Sequence, residues 1–250
     1  MNKHFISNFL EMPDRIMRRF NPKKNRISDK KTINALLISF CVVILITGCI
    51  LLIIEPIKRH NRRKIASDAY DAISGKMEAS EEMVFVVPVT GNEVPGEEYD
   101  YIVDETEETV TGDTVELGAV GLLKIDSLDI SYSVWGETTQ VSLRYGLGHY
   151  PGSVMPGDIG NAAILGHNYK DGTMFHRLGE LGTGDEVVFI GADGIRRVFY
   201  VEESKIISAD DLLDYVRGDI TEDRQLTLVT CTYEYGSKGW RRVVICKMAE

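Results

Sequence analysis

The chain has 250 residues, enough for one or two domains, and a formal net charge of −10. The charge is split: residues 1–64 hold 14 Lys and Arg against 4 Asp and Glu, a net of +10, and residues 65–250 hold 14 against 34, a net of −20. The acidic larger part argues against nucleic acid as a partner, because phosphate binding needs clustered cations. Four cysteines with no CxxC pair and no zinc-like Cys/His spacing argue against a zinc site.

Residues 1–31 form a basic segment with nine Lys and Arg, and Thr32–Ile54 then contains no charged residue. At ~1.5 Å rise per residue this run crosses the ~30 Å hydrocarbon core of a bilayer. It lacks the shorter apolar region and cleavage site of a secretory signal. A second basic cluster follows at Lys58, Arg59, Arg62, Arg63 and Lys64. The heavier load precedes residue 32, so the positive-inside rule predicts a single-pass helix over 32–54 with a cytoplasmic N-terminus. The second cluster then faces anionic polymers or lipid headgroups outside.

Ile65, Ala69, Ala72, Ile73 and Met77 recur at near-helical spacing, as a continuation of the membrane helix or as a short separate one. Glu78–Glu116 holds 13 Asp and Glu and no Lys or Arg, and is broken by Pro88, Gly91, Pro95 and Gly96. It reads as a solvated spacer, mostly disordered. Residues 55–116 are thus expected as a juxtamembrane segment and acidic linker, and 117–250 as the folded domain.

In that domain, strands are expected at Leu122–Ile125, Ile130–Trp135, Asn161–His167, Glu186–Ile190, Arg197–Glu202, Leu226–Cys231 and Arg241–Cys246. A helical turn is expected at Val141–Tyr145, a short helix or turn at Met174–Leu181, and a helix at Ala209–Val216 capped by Ser208. Gly191-Ala-Asp-Gly194 is a hairpin signal. Seven or eight short strands with few helices predict an all-β fold, a closed antiparallel barrel without exposed edges.

Three strand ends carry chemistry. Thr227–Cys231 reads TLVTC and ends on a thiol, AILGHN ends on His167-Asn168, and the last strand opens on Arg241-Arg242. A thiol, an imidazole and a guanidinium at strand ends fit a cysteine nucleophile, its acid/base and its oxyanion partner. Taken alone, such a cysteine or histidine is more often structural. His176 competes with His167, and His149 reads as a structural hydrogen-bonding histidine. Along a strand Arg241, Val243 and Ile245 share one face and Arg242, Val244 and Cys246 the other, so a one-residue slip would exchange the two arginines.

TLVTC, the later Arg241-x-Val243-Val244 and the upstream GHN resemble the sortase transpeptidases of Gram-positive bacteria, over about residues 118–247. The resemblance implies an eight-stranded sortase-like β-barrel outside the membrane, with Cys231, His167 and Arg241 as the catalytic residues. It also implies cleavage of an LPxTG-like sorting signal through a Cys231 thioester and transfer to an amine of a cell-wall precursor. The partners expected are therefore the signal, that amine and the lipid bilayer. No metal or other cofactor is expected, although some family members use calcium. Substrate-binding residues are not identified. Pilus-building relatives often carry a C-terminal membrane helix and an Asp-Pro-aromatic lid motif. This sequence has no Asp before Pro88 or Pro95 and ends at Glu250, so wall anchoring is the expected branch, with the subclass left open.

Overall fold

The computed structural model describes residues 22–79, 81–89, 114–236 and 239–249. The basic segment before residue 22 and the core of the acidic stretch, residues 90–113, lie outside them. The chain divides into two units, 1–57 and 58–250. In the first unit, helix α1 (Pro22–Ala79, continuing into the second unit) carries an exposed window of mean hydropathy 3.1, long and apolar enough to cross a membrane.

In the second unit, α1 presents Ala66, Ala69 and Ile73 as a buried stripe at i, i+3 and i+7. Ala69 and Ile73 pack with Leu117, Leu122, Trp135 and Tyr145. The segment continues the long helix, the first of the two expected forms, and its near-helical spacing marks a face docked on the barrel.

The strands are β1 (Val84–Pro88), β2 (Thr114–Ile125), β3 (Ile130–Trp135), β4 (Leu147–His149), β5 (Gly160–Leu165), β6 (Glu186–Gly191), β7 (Arg196–Ser208), β8 (Arg224–Thr232) and β9 (Trp240–Met248). Their order is β1-β2-β3-β4-β5-β8-β9-β7-β6, and β6 pairs back onto β2. Eight strands thus close a ring, as the strand count predicts, and β1 is added outside it. At the closing seam Gly121 stands opposite Gly191. A Cβ at Gly121 would lie 2.4 Å from the Ile190 carbonyl oxygen, so the two strands approach this closely only with glycine there.

Two features differ from the expectation. The ring is not wholly antiparallel, because β3–β4 and β5–β8 are parallel. Parallel neighbours need a crossover, and the β6–β7 hairpin lies between β5 and β8 in the chain. Secondly, Val84–Pro88 is a strand and not spacer. Val84-Phe-Val-Val87 is a run of strand formers. It pairs with β2, buries Val87 completely, and has its Pro88 carbonyl accept from the Tyr145 hydroxyl at 3.1 Å. The local charge density outweighed this short run in the sequence.

The barrel interior is filled by Leu123, Ile164, Phe189, Phe199, Leu226, Leu228, Val244 and Cys246. The other face of β5, β8 and β9 forms a second cluster with Ala163, Leu165, Val229 and Val243. It is covered by α2 (Gln140–Tyr145) and α3 (Leu213–Val216). The helical turn expected at 141–145 is α2, capped by Thr139, whose hydroxyl accepts from the Ser142 amide at 3.1 Å.

Candidate active site

Strand period fixes the neighbourhood. Cys231 lies directly opposite Arg241 in the antiparallel β8–β9 pair. Directly opposed residues point to one face, so the thiol and this guanidinium share theirs, while Arg242 stands opposite Thr230. In the parallel β5–β8 pair the last partners are Leu165 and Val229. The ladder continues, with Gly166 N–H donating to Val229 O at 3.0 Å and the Thr230 hydroxyl to Gly166 O at 2.7 Å. His167 is therefore two residues beyond Leu165, as Cys231 is beyond Val229. The structure brings Cys231, His167 and Arg241 to the same end of three adjacent strands.

Cys231 is half-buried. Its carbonyl accepts from the Asn168 side-chain amide at 2.8 Å, and the Asn168 oxygen meets His176 Nδ1 at 2.8 Å. His176, the competing histidine, is thus an exposed partner of Asn168 and not a neighbour of the thiol in the strand register. The loop from Asn168 to His176 folds back, with Phe175 N–H donating to His167 O at 2.9 Å.

His167 is 6% exposed, and burial first, then the positive charges of Arg62 and Arg144, push its pKa down to about 3. The imidazole is neutral at pH 7. Its ring lies 4.8 Å from that of Tyr169. His149, also 6% exposed, has Nε2 2.9 Å from Val154 O and 3.1 Å from Ser153 Oγ, and burial lowers its pKa. It ties down the loop after β4.

Arg241 is wholly buried, with Nη1 donating to Trp240 O at 3.1 Å. Charged side chains are almost never taken fully out of water for packing alone, which makes the position a candidate for chemistry. Arg242 instead pairs with Glu234 and approaches Ser204 Oγ at 3.4 Å. All four cysteines are free thiols. Cys246 sits inside the barrel opposite Leu226, and burial pushes its pKa up to about 12.

Asn168, Tyr169, Asp171, Arg62 and Arg144 were not singled out by sequence as site residues. Asn168 adjoins His167 in the GHN run, a signal at hand. Arg62 reads only as one charge in a basic cluster, and its 109-residue separation from Asp171 leaves no local trace.

The family model described as Sortase domain matches residues 123–249, just over half of the chain. Sortase D of Bacillus subtilis (strain 168) is 29% identical over 128 residues, covering 51% of this chain and 62% of that protein. This chain thus matches less than two thirds of that relative's length. Among solved structures, Sortase A from Corynebacterium diphtheriae aligns with a TM-score of 0.49 at 24% identity, covering 54% of this chain and 63% of that one. A Clostridium perfringens Sortase D5 transpeptidase aligns at 0.47 and 23% identity, covering 53% and 80%.

Proposed function

From the premise that this chain belongs to the sortase family, we propose that it is a membrane-anchored cysteine transpeptidase that joins secreted proteins to the cell wall. The observation that carries the reading is the strand register, Cys231 opposite Arg241, with His167 two residues past the Leu165–Val229 pair that ends the neighbouring ladder.

The cycle runs as follows. The Cys231 thiol gives its proton to His167 and its sulfur attacks the Thr–Gly carbonyl carbon of an LPxTG-like signal. Arg241 donates to the oxyanion as the carbonyl π bond opens. The C–N bond then breaks, and His167 returns the proton to the departing glycine amine. The thioester keeps the acyl group activated, so no nucleotide is consumed. An amine of a cell-wall precursor attacks it, loses a proton through His167, and releases Cys231. Water in place of that amine gives hydrolysis. A buried imidazole of such low basicity is a weak base at rest and a strong acid once protonated, which favours the leaving-group step over resting thiolate formation.

In this reading Thr32–Ile54 is the single membrane span, residues 1–31 are cytoplasmic and the barrel is extracytoplasmic. The catalysis then belongs to residues 58–250, since the end of α1 and β1 pack with the barrel strands. The supports are the exposed apolar window and the basic excess before it.

The test is incubation of the full chain with a panel of LPxTG-like peptides and short glycine or diaminopimelate amines, read by mass spectrometry. A ligated peptide, and an acyl adduct on Cys231, are expected. No adduct with any peptide of the panel would refute the substrate class.

A further inference from the structure

We propose that Arg62 on α1 is a positioning residue of the active site, holding the loop that carries His167 through Asp171 and Tyr169. The inference rests on the acid/base role proposed for His167.

Three contacts converge on that loop. The Arg62 guanidinium forms an ion pair with the Asp171 carboxylate, whose side chain is only 4% exposed. The same guanidinium lies over the Tyr169 ring, 3.5 Å from its centroid, a distance at which a planar cation stacks on an aromatic face. Tyr169 in turn meets the His167 ring at 4.8 Å. One side chain of α1 therefore grips residues two and four positions beyond the histidine. Arg63 reaches the same residue, with Nη2 donating to the Asp171 backbone carbonyl and Nε 3.8 Å from its carboxylate.

The loop needs holding. Met174 has φ 54°, in the left-handed region that non-glycine residues adopt at a cost. Such a conformation persists only where its surroundings over-determine it. Here the Tyr132 hydroxyl accepts from Met174 N–H at 3.1 Å, and the Asp171 carboxylate accepts from the Thr173 amide and hydroxyl at 3.2 and 2.6 Å. Asp171 is thus oriented from its own loop and anchored from α1. Its burial would be costly without Arg62, because a carboxylate out of water must be paired.

The charge on Arg62 also acts on His167. Arg62 from α1 and Arg144 from α2 act on this imidazole as charges, and Tyr169 of its own loop packs against its ring. Arg62 and Arg144 both disfavour a second positive charge there. Arg62 therefore helps to place the imidazole and adds to the reluctance to hold a proton that burial chiefly causes. α1 thereby becomes part of the catalytic unit, although it lies outside the 123–249 match.

The experiment uses the full chain in detergent, with Arg62→Ala, Arg62→Lys, Asp171→Asn and, as a control for helix charge, Arg59→Ala at an exposed position. Two readouts are taken: kcat and KM for peptide transfer, and the His167 titration by histidine nitrogen NMR without substrate. For Arg62→Ala, kcat is expected to fall on the order of 10–100-fold through misplacement of the imidazole, with KM little changed. Its His167 titration should move up without reaching the ordinary ~6.5, since burial is the larger cause. Arg62→Lys keeps the charge and loses the planar stack, so its titration should stay low while kcat is partly restored. Asp171→Asn should lower kcat without raising the His167 titration. Arg59→Ala should match the unaltered chain in both readouts. An Arg62→Ala protein with unaltered kcat and unaltered His167 titration overturns the proposal, as does an Arg59→Ala protein equally impaired. Because the titration needs no peptide, a chain inactive on every peptide would refute the substrate reading while the titration still decides the role of Arg62.

Discussion

Two cysteines on neighbouring strands of one barrel show how place makes chemistry. Cys231 ends β8 half-buried, on the face shared with a wholly buried arginine. Cys246 lies on β9 among Leu226, Leu228 and Phe199, and its thiol is held near pKa 12 by burial alone. The sulfur is the same in both. One has polar groups arranged about it and a path to solvent, and the other is a small apolar side chain in effect. The comparison teaches that the strand register, by choosing which neighbours meet, separates reagent from filler.

The largest effect expected from breaking that contrast is at Cys231, the proposed nucleophile. Cys231→Ala should abolish transfer completely, and Cys246→Ala should leave it near normal. A thiol reagent applied to the native chain should label Cys231 and spare Cys246. Labelling of Cys246 before Cys231 would reverse the assignment.

Next is the proton carrier proposed above, His167. His167→Ala should reduce turnover by ~10²–10⁴-fold, the usual contribution of a positioned acid/base, with His176→Ala far milder. Equal loss at both would reopen the choice between them.

The arginines sharpen the register itself. Arg241→Ala should cost ~10²–10³-fold, as loss of an oxyanion donor does. Arg242→Ala should remove an ion pair with Glu234 and cost only a fraction of that. Greater damage at Arg242 in a peptide-transfer assay would mean that the guanidinium at work is on the other face.

The smallest effect is on acid stability. The folded state holds His167 near pKa 3, whereas an unfolded imidazole titrates near ~6.5. Below that higher value the unfolded chain takes up a proton that the folded chain refuses. This stabilisation is therefore complete above pH 6.5 and lost as pH falls toward 3. The barrel should melt roughly 5 °C lower at pH 5 than at pH 7.5, and His167→Ala should shrink that difference, by calorimetry.

Much of this was legible in the chain. TLVTC, GHN and the Arg-Arg pair mark three strand ends, and alternation tells which side chains share a face. Alternation does not tell which strand is the neighbour, so the parallel β5–β8 contact that aligns Gly166 with Thr230 could not be read. Nor could period-two logic choose between Arg241 and Arg242, since a slip by one residue exchanges them. The strand Val84–Pro88 was hidden by the surrounding acid. The docked face of α1 was visible as spacing but not as a contact, because Ile65, Ala69, Ile73 and Met77 would look alike against lipid, barrel or a second helix.

The placement of β9 bears on how the protein comes to be. β9 lies between β7 and β8, and both of its neighbours precede it in the chain. The thiol of Cys231 is therefore synthesised before the strand that brings Arg241 to it. Contacts as distant in sequence as Ala162 with Leu226 must form as well. Such non-local pairing is intrinsically slow, with all-β domains folding in ~milliseconds to seconds. During that interval β7 and β8 stand as open edges with the Cys231 thiol at one rim. Insertion of β9 between β7 and β8 both seals the ring and sets Arg241 opposite Cys231, so the barrel and that pair are completed together.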